Sequence, residues 1–319
     1  MTRAAVAAVV AMAGLTAAPL ATIPNTSSVR LLVVAPHPDD EVLAAGGLIA
    51  RVAAAGGRVR IVYLTDGEGY PAGVEAEERV RRPSSTNYLE YGRMRQEEAR
   101  AALSTLGVDA QNLTFLGFPN GGLHRLLTRY WSDRQSPYQS PYTKRNRPVP
   151  PDVVLPTLEF RGEDLTEELS LAIGLFRPTI IVAPRAEDQH VDHCAAWFFT
   201  ADALTDVQRA EPAYHPSVLT YVVHYYSWMF EDSAPIVEPP ADLEPARDRW
   251  RSVALTEAQV AAKRTALTRY DSQMKMMAWF LMGFVRHNEV FSVPRTTHIA
   301  LPLQQDVCAA FEEPKAVTQ

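Results

Sequence analysis

The stretch Leu31-Leu32-Val33-Val34-Ala35-Pro36-His37-Pro38-Asp39-Asp40-Glu41 joins two kinds of chain. Leu31 to Val34 is an apolar run that reads as a buried strand. Val42 to Ala55 reads as a helix, with Gly46 and Gly47 in its first half. Between them stand one imidazole and three carboxylates. In open α/β sheets, the mouth of a strand-to-helix crossover is where ligands bind. Charge packed at a strand end is costly unless something offsets it, and a divalent metal is the natural partner.

Outward from this point, strands and helical patterns alternate. Arg58 to Leu64 reads as a second strand, ending at Thr65-Asp66-Gly67-Glu68-Gly69-Tyr70. Residues 71–90 are polar and poorly periodic and read as a surface loop or broken helix. Arg93 to Leu106 has helical spacing, with Ala99, Ala102, Leu103 and Leu106 on one face and Gly107 as its stop. Leu113 to Leu116 is a short third strand. Residues 121–160 break the pattern and read as a long ordered loop, either a binding loop or a surface insertion. Leu165 to Phe176 is a helix and Thr179 to Ala183 a buried strand, followed by Pro184-Arg185-Ala186-Glu187-Asp188-Gln189-His190-Val191-Asp192-His193 and a helix over 193–205. Val218 to Tyr225 reads as a strand, 234–245 as a proline-rich linker, and Thr256 to Tyr270 as a helix. The partly apolar Met274 to Val285 reads as core or pocket wall and is too short to span a membrane.

This alternation implies an α/β, Rossmann-like fold with a mostly parallel sheet and helices on both faces. The expected organisation is a single domain over 30–319, with an insert at 121–160 and a C-terminal extension at 230–319. No Gly-x-Gly-x-x-Gly follows the first strand, so nothing points to a dinucleotide.

With 319 residues, 47% of them hydrophobic, the chain can bury one large core. A formal net charge of −6 gives no sign of nucleic-acid binding. Arg3, the apolar run Ala4 to Leu15 and the small residues to Ala21 have the parts of a secretory signal, cut near Ala21. The expected location is therefore outside the cell or in its envelope. An uncleaved anchor is the rival reading, although the run is marginal for a bilayer core of ~30 Å. Cys194 and Cys308 could pair in an oxidising compartment. The reading favoured for Cys194 is a small buried residue packing its helix.

Two strand ends carry the candidate chemistry: His37, Asp39, Asp40 and Glu41 at one, and Asp188, His190, Asp192 and His193 at the other. Two histidines and a carboxylate leaving an open position is the pattern of a catalytic zinc site. Spacing alone does not choose three ligands from these eight. His124, His215, His224, His287 and His298 lack matched partners and read as structural.

His37-Pro38-Asp39-Asp40-Glu41 and His190-Val191-Asp192-His193 resemble the paired signatures of the PIG-L (LmbE-like) zinc-dependent N-deacetylases. The resemblance extends to Arg95-Gln96-Glu97-Glu98 with Leu106-Gly107-Val108, and to Tyr270-Asp271-Ser272-Gln273. It implies His37, Asp40 and His193 as metal ligands and Asp39 as general base. Protonated His190 is expected to stabilise the oxyanion, and Asp192 to orient a histidine. Arg95 is expected to face substrate hydroxyls, held by Glu98, with Glu41, Asp66 and Glu68 nearby. The implied cofactor is one Zn2+, with Fe2+ or Co2+ acceptable to the same donors. The implied reaction is hydrolysis of an N-acetyl group on a small amino sugar or glycoconjugate, giving acetate and a free amine. An amidase acting on a larger conjugate or acylated natural product is the alternative, and a non-catalytic carbohydrate-binding module a further one. No nucleic-acid partner is implied, membrane contact is not indicated, and the oligomeric state is open.

Overall fold

The computed structural model describes residues 27–312 apart from 135, 150–157, 227, 229–233, 241 and 244–248. The signal-like stretch 1–21 lies outside the described residues. The core is a seven-stranded sheet in the order β3-β2-β1-β4-β5-β7-β6. β1 (Arg30–Ala35), β2 (Arg58–Thr65), β3 (Leu113–Phe118), β4 (Ile180–Pro184) and β5 (Ser217–Tyr221) pair in parallel. β6 (Trp250–Ala254) and β7 (Asn288–Ser292) close one side as an antiparallel pair.

The parallel strands are joined by helices, as backbone geometry requires of parallel neighbours. α1 (Asp40–Ala54) links β1 to β2. α2 (Pro71–Glu78) and α3 (Ser85–Thr105) link β2 to β3. The chain then returns through α4 (Leu123–Leu126) and α5 (Gly162–Phe176) to β4 on the other side of β1. α6 (Val191–Ala210) leads on to β5, and α7 (Glu257–Leu267) and α8 (Asp271–Gly283) stand between β6 and β7. The strand order therefore reverses between β1 and β4, and their carboxyl ends flank the crevice where open α/β sheets bind ligands.

Alternation along β1 divides the core. Leu31, Val33 and Ala35 pack with α1, α3 and α7, whereas Leu32 and Val34 pack with α5 and α6. Burial on both faces explains the unbroken apolar run in the sequence. Gly47 permits the tight approach of α1 to the chain before α7, since a Cβ there would lie 2.5 Å from Leu255 Cδ1.

α1 is broken at Ala45 (φ −138°, ψ 17°). At the break the Leu43 carbonyl accepts from Lys263 Nζ at 2.8 Å, while the Gly47 and Leu48 N–H groups donate to Glu289 at 2.7 and 2.9 Å. Lys263 and Glu289 pair with each other at 2.8 Å. A cation thus closes the end of one helical segment and an anion the start of the next, each complementing the local dipole.

Several boundaries depart from the sequence reading. The polar segment 71–90 holds α2 and the start of α3, not a loop. Ser84 and Asn87 form a reciprocal cap, and the buried face of α3 carries Tyr91, Arg95, Gln96 and Glu98, so apolar spacing does not reveal it. Strand β5 stops at Tyr221, because the Val223 and His224 N–H groups turn to bond Asp188. β6 and β7 have no counterpart in the sequence reading. Buried Asn288 and Glu289 interrupt the alternation that would mark β7. Cys194 is also more than a packing residue: it forms a disulfide with Cys308 across 114 residues. The linkage fastens the C-terminal segment to α6, aided by His124–Asp306 at 2.7 Å. Among the described residues no helix is long and apolar enough to cross a membrane.

Candidate metal centre and active site

Pro36 to Asp39 turn the chain from β1 into α1 and leave His37, Asp39, Asp40 and Glu41 almost fully buried. Asp39 adopts φ 133°, a conformation costly for a residue with a Cβ. Three contacts hold it. Its N–H donates to Glu41 Oε2 at 3.1 Å, its Oδ2 lies 3.0 Å from Arg95 Nη2, and the same guanidinium donates to the Pro38 carbonyl. Gly67, at φ 66°, accepts from Arg95 Nη1 at 3.1 Å, and any side chain there would collide with the guanidinium.

From β4 the turn 185–190 delivers Asp188, His190, Asp192 and His193. Asp40 Oδ2 stands 3.2 Å from His37 Nδ1 and 3.1 Å from His193 Nε2. Each imidazole has a second carboxylate on its far nitrogen: Asp192 Oδ2 at 3.2 Å from His37 Nε2, and Asp188 Oδ2 at 3.2 Å from His193 Nδ1. These carboxylates are anchored in turn. Asp192 accepts from Gly121 N, Leu123 N and Asn120 Nδ2 at 2.6, 3.1 and 3.1 Å. Asp188 accepts from Val223 N at 2.7 Å and His224 N at 3.1 Å. A ring nitrogen directed by a carboxylate behind it is the usual support of a metal-ligating histidine.

The spacings around Asp40 Oδ2 suit a divalent metal. Among the described residues, however, the groups whose ligand atoms all lie within 4.8 Å of one another are His37 with His190 and His193, and Asp40 with His193 and His224; the expected triad His37, Asp40 and His193 is not itself such a group. Bonds of ~2.0–2.2 Å in a tetrahedral arrangement put neighbouring donors about 3.3–3.5 Å apart, close to the spacings around Asp40 Oδ2. His193 Nε2 is buried beside Asp40 Oδ2 yet makes no hydrogen bond, as expected where a cation would sit between two donors. Asp39, Asp40, Asp188 and Asp192 are all buried here. Arg95, already bound to Asp39, supplies permanent positive charge.

Burial works against the charge on His193, and Asp188 and Asp40 outweigh it, holding its pKa well above the ordinary value. Burial likewise opposes the charge on Asp40, yet His193 and His37 keep its carboxyl well below the usual range. Asp39 moves the other way: burial pushes its carboxyl up to about 7 against the pull of Arg95.

Burial, reinforced by His37, His193 and His224, holds the pKa of His190 well below the ordinary value, a direction opposite to the protonated form expected from the sequence. Its Nδ1 accepts from the Asp192 N–H at 3.2 Å, which assigns its proton to Nε2 and leaves that N–H as a donor. Arg95 lines the cleft; its Nη1 donates to Gly67 and its Nη2 to Pro38 and Asp39, while its buried Nε has no hydrogen-bond partner among the described residues. Glu98 acts on Arg95 through charge, without an ion pair between the two; that carboxylate accepts from Ser272 N and Oγ, both at 2.7 Å. Asp66 bonds Gln96, and Glu68 accepts from the Asn120 N–H, behind the cleft lining. Glu41 accepts from Tyr270 OH, so the Tyr270-Asp271-Ser272-Gln273 segment braces the β1 end, with Gln273 bonding Tyr91 at 2.8 Å.

His224 belongs to the centre although its sequence context gave no partner. Its ligand atoms group with those of Asp40 and His193, just as His190 groups with His37 and His193, each set within 4.8 Å. The signal was positional: His224 follows the carboxyl end of β5, beside the two strand ends that carry the motifs. Together these residues open into a cleft of about 140 Å³, lined also by Tyr70, Asn120, Gln273, Met277 and Phe280.

A family model described as PIG-L, GlcNAc-PI de-N-acetylase, matches residues 32–204. A 1D-myo-inositol 2-acetamido-2-deoxy-alpha-D-glucopyranoside deacetylase from Mycobacteroides abscessus is 31% identical over 252 residues, 75% of this chain and 81% of the relative. A protein of the same description from Mycobacterium sp. (strain KMS) is 30% identical over 60% of this chain, and the match spans 55% of that relative's length. The fold resembles N,N'-diacetylchitobiose deacetylase from Pyrococcus horikoshii, with TM-score 0.52 and 17% identity over 84% of each chain. It equally resembles a 4-carboxy-2-hydroxymuconate hydratase from Pseudomonas putida, with TM-score 0.52 and 16% identity over 85% of this chain and 99% of the other. The architecture alone therefore does not name the reaction.

Proposed function

The chain belongs to the PIG-L family of GlcNAc-PI de-N-acetylases, and from that premise we propose a metal-dependent hydrolase that removes the acetyl group of an N-acetylated amino sugar or glycoconjugate. The products are acetate and a free amine. One observation carries this reading: Asp40 Oδ2 lies between nitrogens of His37 and His193, with Asp39 next in the chain and in the same cleft.

Zinc, or Fe2+ or Co2+, held by His37 Nδ1, Asp40 and His193 Nε2 would polarise the amide carbonyl and acidify a water molecule. Asp39 takes the proton as the water oxygen adds to the carbonyl carbon. A carboxylate with a pKa of about 7 is matched to that task near neutrality, and Arg95 with Glu41 fixes its direction. Neutral His190 donates its Nε2–H to the oxygen on which charge develops. When the C–N bond breaks, Asp39 returns its proton to the departing amine. Asp188 and Asp192 move no protons; they set which nitrogen each histidine offers.

Purified protein is expected to hold about one zinc per chain and to release acetate from N-acetylglucosaminides. Chelation should stop release and added zinc restore it. Asp39→Asn should keep the metal and lose at least about a hundredfold in kcat, the lower range for a general base. Full activity after both treatments would sink the reading.

We read residues 30–319 as one catalytic domain, because β6 and β7 complete the sheet begun by β1 to β5. Work in an exported, oxidising setting is supported by the Cys194–Cys308 disulfide. Recovery of the protein from the producing cell's cytosol with two free thiols would refute export.

A further inference from the structure

We infer that the cleft continues into an apolar subsite for the aglycone, so that the preferred substrate is an N-acetyl amino sugar bearing a hydrophobic group. This rests on the deacetylase reading and supplies the part of the substrate which that reading leaves open.

The cleft is small. At about 140 Å³ it is well below the ~300–1,000 Å³ of pockets that enclose a drug-sized ligand. It takes the reacting end of a sugar, and whatever is attached must lie along the rim. The rim has two unlike sides. Asn120, Tyr70 and Arg95 make one polar. On the other, Met277 and Phe280 of α8 face Leu43 of α1. α8 is broken at Met277 (φ −147°, ψ 41°), and Gln273, Met277 and Phe280, before, at and after the break, all line the cleft.

A chain of rings leads outward along that side. Phe280 stacks on His224 at 5.5 Å between centroids, and Trp279 meets Phe280 edge-on at 6.0 Å. At the surface Trp279 is 68% exposed and Met276 36%, and Tyr226, two residues past His224, is 93% exposed. Isolated apolar side chains on a surface mean little. Here three large ones stand on the two segments that also line the cleft, and such a concentration beside a pocket marks a binding surface. The occupant follows from continuity: a group bonded to the sugar has to leave the cleft over this rim, and hydrocarbon favours hydrocarbon.

The test uses the zinc-loaded full chain and N-acetylglucosaminides with methyl, butyl and octyl aglycones, kept below micelle-forming concentrations. Acetate release should show kcat/KM rising at least about tenfold from methyl to octyl, mainly through KM, as burial of two methylene groups already gives. Trp279→Ala should bring the octyl-to-methyl ratio to within about threefold. A flat series, or a preference for a polar aglycone such as inositol, would overturn the subsite while leaving deacetylation standing. If no member releases acetate, the deacetylase reading falls, and calorimetric binding to the Asp39→Asn protein decides the subsite. Octyl glycoside binding at least tenfold tighter than methyl upholds it, and equal binding overturns it. A flat series together with binding to phosphatidylcholine vesicles free of amino sugar would assign the surface to a bilayer and overturn it too.

Discussion

Helix α1 carries two buried groups of charge within about two turns of each other, and they are resolved in opposite ways. At the break near Ala45, Glu289 meets Lys263 and two backbone N–H donors, while Lys263 also has the Leu43 carbonyl. Each charge is answered by the chain itself. At the first turn, Asp40 meets His37 and His193, each backed by a further carboxylate, and the His193 nitrogen that faces Asp40 is left without a hydrogen bond. Burial of charge is common to both. What separates a brace from a site is whether the chain completes the balance or leaves it to something that binds.

The contrast can be broken experimentally, most severely at the first turn. Asp40→Asn should lower metal affinity and acetate release at least about a hundredfold, beyond the 10–100-fold that loss of an outer carboxylate costs. Metal titration measures the first and acetate assay the second. Glu289→Ala, which strands a buried ammonium, should cost about 3–5 kcal/mol of stability in denaturant unfolding, yet the folded fraction should still hold one metal per chain. A stable Glu289→Ala protein that binds no metal would erase the distinction.

A smaller effect sharpens it. Burial pushes the Glu68 carboxyl up to about 7, from 4.5 in the open chain. The folded protein binds that proton more tightly than the unfolded one, so its contribution to stability is whole below pH 4.5 and is lost as pH rises through about 7. Glu68→Gln should flatten metal-free stability across that window and leave the mutant the more stable above it. An unchanged pH profile would show that Glu68 is already neutralised by a neighbour.

The sequence was most legible where function is contiguous. His37 to Glu41 and Asp188 to His193 are short runs at strand ends, and an apolar strand buried on both faces announces the sheet beneath them. Legibility fails where partners come from distant segments. His224 stands alone in its own stretch, and only the parallel placement of β5 beside β4 brings it in. Arg95 on α3 finds its carboxylate 56 residues away. The pairing of Cys194 with Cys308 depends on where the chain's end returns. Where polar side chains point inward, as Arg95 and Glu98 do on α3 and Glu289 on β7, the apolar periodicity that signals an element is erased by the features that make it useful.

The break at Ala45 also has a mechanical meaning. An uninterrupted α1 would be a rod rigidly joining Asp40 to the turn before β2, and any shift of a ligand during turnover would be felt along its length. With the rod cut, and the cut ends clamped to Lys263 and Glu289, the segment from Asp40 to Ala44 is a short lever on a fixed pivot. Motion at the metal is expected to be absorbed within that lever. Amide exchange should therefore respond to metal at residues 40–44 and stay level over 47–54, making α1 two bodies in motion though one in sequence.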